Sequence, residues 1–161
     1  MWIILRRLLL MTMLMFWQGG FMFYGTVVVP VGSEILGSHL EQGFITRSVT
    51  NYLNGAGAIC LAVWAWDVAS QPVTIPSKRR IQWITWKLLV VSLLLQVWLH
   101  WQLDEILDPQ ALVILNRPWY RRLHQCYLLT STLQWIGALF LTGMTLWIWK
   151  VGDALRNPQH G

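Results

Sequence analysis

The sequence predicts an all-α fold: an integral membrane four-helix bundle with both termini cytoplasmic and short extra helices on the outer side, forming a single transmembrane domain over residues 1–161. Three observations carry this. The 161 residues are 55% hydrophobic and only 12% charged, about half the charge of an ordinary soluble domain. Four apolar stretches are long enough to cross the hydrocarbon core, which takes about 20 helical residues. Twelve residues are Trp, whose amphipathic ring gathers at membrane interfaces. Backbone groups in lipid have no water to bond, so each stretch must be helical.

The first span covers about residues 8–31, behind Arg6 and Arg7. That charge pair and LLLMTMLMF look like the start of a signal peptide, but the apolar run passes Val29 without a small-x-small site, so a retained span is expected. The second covers 49–69. Its helix is expected to start earlier, because Ser38-His39-Leu40-Glu41 fits a capping box. Between the second and third spans, Gln71 to Arg80, with Pro72 and Pro76, reads as a basic connector. The third span covers 81–103. Asp108-Pro109 then reads as an N-cap and first helical residue of a short interfacial helix, Pro109 to Leu115. Asn116-Arg117-Pro118 opens the fourth helix, whose span covers 123–149.

Orientation follows the bias of Lys and Arg toward the cytoplasm. Eight of them (Arg6, Arg7, Lys78, Arg79, Arg80, Lys87, Lys150 and Arg156) share the side of the termini, and four (Arg47, Arg117, Arg121 and Arg122) lie opposite. A net charge of +5 would raise nucleic acid as a partner of a soluble protein. Here the basic residues cluster beside apolar runs and no basic-aromatic module appears, so the lipid bilayer with its anionic headgroups is the expected partner. The expected location is the bacterial inner membrane.

Membrane helices associate through small and polar residues, because lipid tails are as apolar as leucine. On a 100° wheel the second helix gathers Asn51, Asn54, Gly55, Ala58, Ala62, Ala65 and Ala69, a face expected to pack closely. The first gathers Thr12, Gly19, Phe23 and Thr26. The third gathers Thr85, Ser92, Gln96, His100 and Asp104. The fourth gathers His124, Ser131, Gln134, Ala138, Thr142 and Thr145.

His100 and His124 fall at similar depth near the outer ends of antiparallel neighbours, and His39 sits on the same side; His160 is in the tail. Ionisable groups at membrane depth are costly and mark functional sites. The plain reading of the pair is snorkelling or hydrogen bonding between helices. The sharper one is coordination, with haem b or copper as the cofactor, since neutral imidazole serves both. Asp104, one turn beyond His100, would orient that ring or stand as a solvated charge. Arg47, with the three other outer arginines, makes the mouth basic; it pairs with outer acids, binds lipid phosphate or anchors an anionic ligand. Met11, Met13, Met15 and Met22 read as apolar packing, and Cys60 and Cys126 as unpaired thiols without metal spacing. No nucleophile elbow, phosphate loop, HExxH or paired catalytic carboxylate is present, so the reading leans away from an enzyme.

The segments FWQGGFMFYGTVVVPVG, LGS, QGFITRSVTNYLN and RRLHQCYLLTSTLQW resemble bacterial members of the transmembrane-protein-205-like family, over roughly residues 10 to 150. The resemblance implies a four-helix membrane domain and brings no settled activity. His124 opening a helix is also distantly similar to the copper-resistance protein D domain and the HemJ-type protoporphyrinogen oxidase, which binds haem. Those patterns favour a Ser and an Asn after the His, where this chain has Gln125-Cys126-Tyr127-Leu128-Leu129-Thr130-Ser131.

The expected function is that of a non-enzymatic multi-pass membrane protein whose polar outer mouth holds a small ligand, a lipid headgroup or a partner. The alternatives are a haem- or copper-binding redox or transport protein using His100 and His124, and a structural subunit of a larger membrane complex or homo-oligomer.

Overall fold

Four long helices follow one another up and down in a computed structural model that describes residues 1–71, 76–108 and 113–156. Helix α1 spans Trp2–Leu36. Helix α2 spans His39–Ser70, α3 Pro76–Ile106 and α4 Arg117–Arg156. Each is long and apolar enough to cross a membrane. Side-chain pairs give the antiparallel register. Arg6 meets Asp67 and Tyr24 meets Thr46 across α1 and α2. Trp86 meets Leu61 and Asp104 meets Arg47 across α2 and α3. Gln82 meets Thr145 and Gln96 meets Ser131 across α3 and α4. The bundle closes where Arg7 of α1 reaches Asp153 and the ring of Trp149 on α4.

The caps at Ser38 and Asn116 form where the sequence places them, and Gly37 adds one that it did not announce. Gly37 ends α1 in the left-handed conformation, φ 63°, which costs glycine no Cβ clash. Ser38 then caps α2, its hydroxyl accepting from the Glu41 amide at 3.2 Å. Asn116 caps α4, accepting from the Trp119 amide at 3.1 Å. The expected Gln71–Arg80 connector is shorter than that: α3 already begins at Pro76, a position where the missing N–H is no loss.

The connection from α3 to α4 differs from the expected interfacial helix. Leu107–Asp108 pairs antiparallel with Val113–Ile114, so the end of the predicted helix is extended ladder. A β ladder satisfies backbone groups that a helix of about two turns would leave open at both ends. The remainder of that predicted helix, Pro109 to Leu112, lies outside the described residues.

Two of the four wheel faces point the other way. On α2, Gly55, Ala58, Ala62 and Ala69 are exposed, and the buried face is Gly57, Cys60, Leu61, Trp64, Asp67 and Val68. On α1, Thr12, Gly19, Phe23 and Thr26 are exposed, while Arg6, Leu10, Leu14 and Trp17 are buried. Two causes are visible. Helix α1 contains π-turns at Met15–Gly19 and Tyr24–Val28, and each turn of more than 3.6 residues rotates everything beyond it off a 100° wheel. The second π-turn stands just ahead of Pro30, which has no N–H to bond the preceding turn. The helices also meet large against small rather than small against small: a Cβ on Gly57 would lie 2.7 Å from Nε1 of Trp17. The α3 and α4 faces hold except at His124, which is exposed, with Gln96, His100, Ser131, Gln134, Ala138 and Thr145 buried.

The main core sits in the half nearer the termini, around Leu10, Trp17, Cys60, Trp64, Leu89 and Leu141. A smaller cluster of Leu99, Leu103 and Leu123 closes the far half.

Candidate functional site

Helices α2 and α3 bring Arg47, His100 and Asp104 together at the end far from the termini. Arg47 Nε lies 2.7 Å from Asp104 Oδ1, but its N–H is not aimed at that oxygen, and Oδ1 is buried without a hydrogen-bond partner. His100 sits one turn before Asp104, with Nε2 3.7 Å from Oδ2. That is beyond hydrogen-bond reach, and His100, only 8% exposed, has no other partner for Nε2. Both outer groups are therefore held near an opposite or polar neighbour and neither is fully satisfied. Buried polar atoms in that condition are uncommon and ask for an explanation. Arg117, Arg121 and Arg122, exposed on the first two turns of α4, add positive charge at the same end.

His124 is exposed on α4, its ring stacked on Tyr120 with centroids 6.0 Å apart and planes within 5°. Of His39 only the backbone is described, opening α2 behind its cap; His160 lies outside the described residues. Met11 and Met13 pack against the core, whereas Met15 and Met22 are exposed. Cys60 is buried and Cys126 exposed, both as free thiols.

Haem or copper needs imidazoles aimed into one space. His100 is buried beside Asp104, whereas His124 is exposed with its ring stacked on Tyr120. Among the described residues no group of three or more His, Cys, Asp or Glu side chains is placed to hold a metal ion.

A second polar assembly, at the end of the termini, was missed by the sequence reading. Asp67 is fully buried and accepts from Arg6 Nε at 2.8 Å, Gln71 Nε2 at 2.5 Å and Trp149 Nε1 at 3.1 Å. Arg7 makes a two-pronged pair with Asp153, at 2.6 and 2.9 Å, and its guanidinium sits 4.9 Å from the Trp149 ring centroid. Thr145 accepts from Trp64 at 3.0 Å and from Gln82 at 3.4 Å. Arg79 caps the open end of α2 through the Ala69 carbonyl. This network ties the four helices together with its charges paired, leaving Arg7 Nε and Gln82 Oε1 as its buried atoms without a partner, and it acts as a lock. The signal was present: Asp67 is the only acid between Glu41 and Asp104, and a lone carboxylate inside a span needs a buried cation.

Compared with protein-family models, with curated proteins and with solved structures, the chain matches none of them.

Proposed function

We propose that this chain is a non-enzymatic multi-pass protein of the bacterial cytoplasmic membrane, with both termini inside, of the transmembrane-protein-205-like kind that its sequence resembles. Its outer mouth binds the phosphate of an anionic lipid headgroup. One observation carries the binding reading: His100 Nε2 is buried without a hydrogen-bond partner at the mouth where Arg47 lies. A phosphate oxygen accepts from imidazole and guanidinium N–H groups together, and charge-assisted bonds of this kind are about twice as strong as neutral ones. No terminal nitrogen of Arg47 bonds another protein group among the described residues, so the guanidinium has donors left for such a ligand.

The membrane reading rests on what faces outward. Ile84, Leu88, Val91, Leu94, Leu95 and Val97 on α3 are all exposed apolar residues. Trp83 and Trp101 on the same helix stand 18 residues apart by their numbers, about 27 Å at 1.5 Å per residue, close to a hydrocarbon core of about 30 Å. Orientation rests on the excess of Lys and Arg at the termini. A reporter fused after His160 is expected to read cytoplasmic.

Native mass spectrometry of the detergent-extracted protein tests the binding. The wild type is expected to retain phosphatidylglycerol, and the double variant Arg47→Gln/Asp104→Asn, which removes both charges and leaves neither unpaired, to retain about tenfold less, a loss of about 1.4 kcal/mol. Equal retention would sink the proposal.

A further inference from the structure

Halfway along the bundle, four polar side chains, two buried and two half-buried, have a buried atom with no hydrogen-bond partner: Gln18 Oε1, Ser92 Oγ, Gln96 Nε2 and Gln134 Nε2. The helix register puts them at one depth. Trp17 packs on Gly57 and Trp86 bonds Leu61, which brings Gln18 level with Ser92. Leu89 faces Gly137 and Gln96 meets Ser131, which brings Gln134 level with Ser92 and Gln96. Gln96 and Gln134 are each only 4% exposed. Ser131 Oγ already serves the Tyr127 carbonyl at 2.7 Å and lies 3.5 Å from Gln96 Oε1. Turning that carboxamide over would leave its oxygen open in place of its nitrogen, so the deficit does not depend on how the amide is placed. Each such group in a dry interior costs about 1–3 kcal/mol, and lipid offers nothing to relieve it.

We infer that Ser92, Gln96 and Gln134, with Gln18 of α1 at the same depth, form a binding site inside the membrane for a small neutral molecule that both donates and accepts hydrogen bonds, water or a carboxamide-sized solute. Neutrality follows from the lining. No Asp, Glu, Lys or Arg occurs between Arg7 and Glu34, Arg47 and Asp67, Lys87 and Asp104, or Arg122 and Lys150. An ion held there would lose its hydration without a countercharge, at a cost of several kcal/mol. The donor and acceptor types follow from the open atoms, two amide nitrogens against one carbonyl and one hydroxyl. Toward the outer mouth Ser92, Gln96, His100 and Asp104 recur every fourth residue on α3, a polar stripe beside the Leu99, Leu103 and Leu123 cluster. Toward the termini the way is shut by Leu89, Trp64 and Leu141, each 3% exposed or less. The site stands independently of the headgroup reading, because it is read at residue 92 and not at Arg47.

Thiol labelling in proteoliposomes tests it, because a cysteine reacts as its thiolate, which needs water. In a Cys126→Ala background, with buried Cys60 kept as a dry reference, Ser92→Cys is compared with the lipid-facing Leu94→Cys. Neutral methyl methanethiosulfonate is expected to modify position 92 at least about tenfold faster than position 94, and the charged sulfonatoethyl reagent to modify neither. Slowing by added acetamide assigns the solute, and an unchanged rate assigns water; both uphold the site. Equal rates at 92 and 94, or labelling by the charged reagent as fast as by the neutral one, would overturn it. Should the variants fail to fold, hydroxyl-radical footprinting of the unaltered protein gives the same reading. Oxidation of buried Leu93 above exposed Leu94 supports bound water, and the reverse order refutes it.

Discussion

At the end that holds the termini, Asp67 accepts three hydrogen bonds, from Arg6, Gln71 and Trp149. At the opposite end Asp104 has Arg47 close by and an oxygen with no aligned donor. Both carboxylates sit on membrane-length helices beside an arginine from a neighbouring helix. The difference lies in completion. The first is fully buried and surrounded by groups that use its lone pairs, so it fixes three helices in one register. The second retains unmet bonding capacity, as do His100, Gln96 and Gln134 below it. A carboxylate whose lone pairs are all used rigidifies the helices around it; one left open can still take a donor. The lesson is that a buried ion pair identifies neither role until the remaining hydrogen bonds are counted.

The contrast can be broken most severely at Asp67. Asp67→Ala strands the Arg6 charge, which is only 7% exposed, and is expected to destabilise the bundle by about 3–5 kcal/mol. Arg6→Leu/Asp67→Leu should recover most of that loss. Unfolding in mixed detergent micelles measures both, and a single variant as stable as the wild type would show that the pair is no lock. Packing comes next. Gly57→Ala drives a methyl into the Trp17 ring and is expected to cost about 1–3 kcal/mol. Gly55→Ala, with nothing within 4 Å of the new Cβ, should be neutral or gain up to about 1 kcal/mol from helix propensity. Equal effects at the two glycines would mean that α2 packs through its small-residue face after all. The smallest effect belongs to the middle of the bundle. Gln134→Leu removes a carboxamide whose nitrogen bonds nothing in the protein, so stability should stay within about 1 kcal/mol of wild type. A loss as large as that of Asp67→Ala would make Gln134 part of the lock.

Helix number and two of the caps were legible because they depend on local chemistry. Ser38 and Asn116 satisfy free backbone groups wherever the helix happens to pack. Arg47, His100 and Asp104 were legible as residues of the end far from the termini, since a charge inside an apolar run has few places to go. His124 was harder to place. One wheel step moves it from the interior to the surface, where stacking on Tyr120 four residues earlier holds it. The inner lock went unread because Arg6 served only as a topology signal and Asp67 received no attention.

By itself, then, the sequence determined four helices of membrane length and the caps that open α2 and α4. Only the tertiary structure decided which face of α1 and α2 turns inward. In a water-soluble bundle the apolar stripe would settle that question. Here almost every face is apolar, two π-turns rotate α1 off its regular wheel, and the choice falls to individual fits such as Trp17 over Gly57 and Arg6 on Asp67. The tertiary structure likewise decided which buried polar groups find partners, because that depends on residues more than sixty positions apart arriving at the same depth.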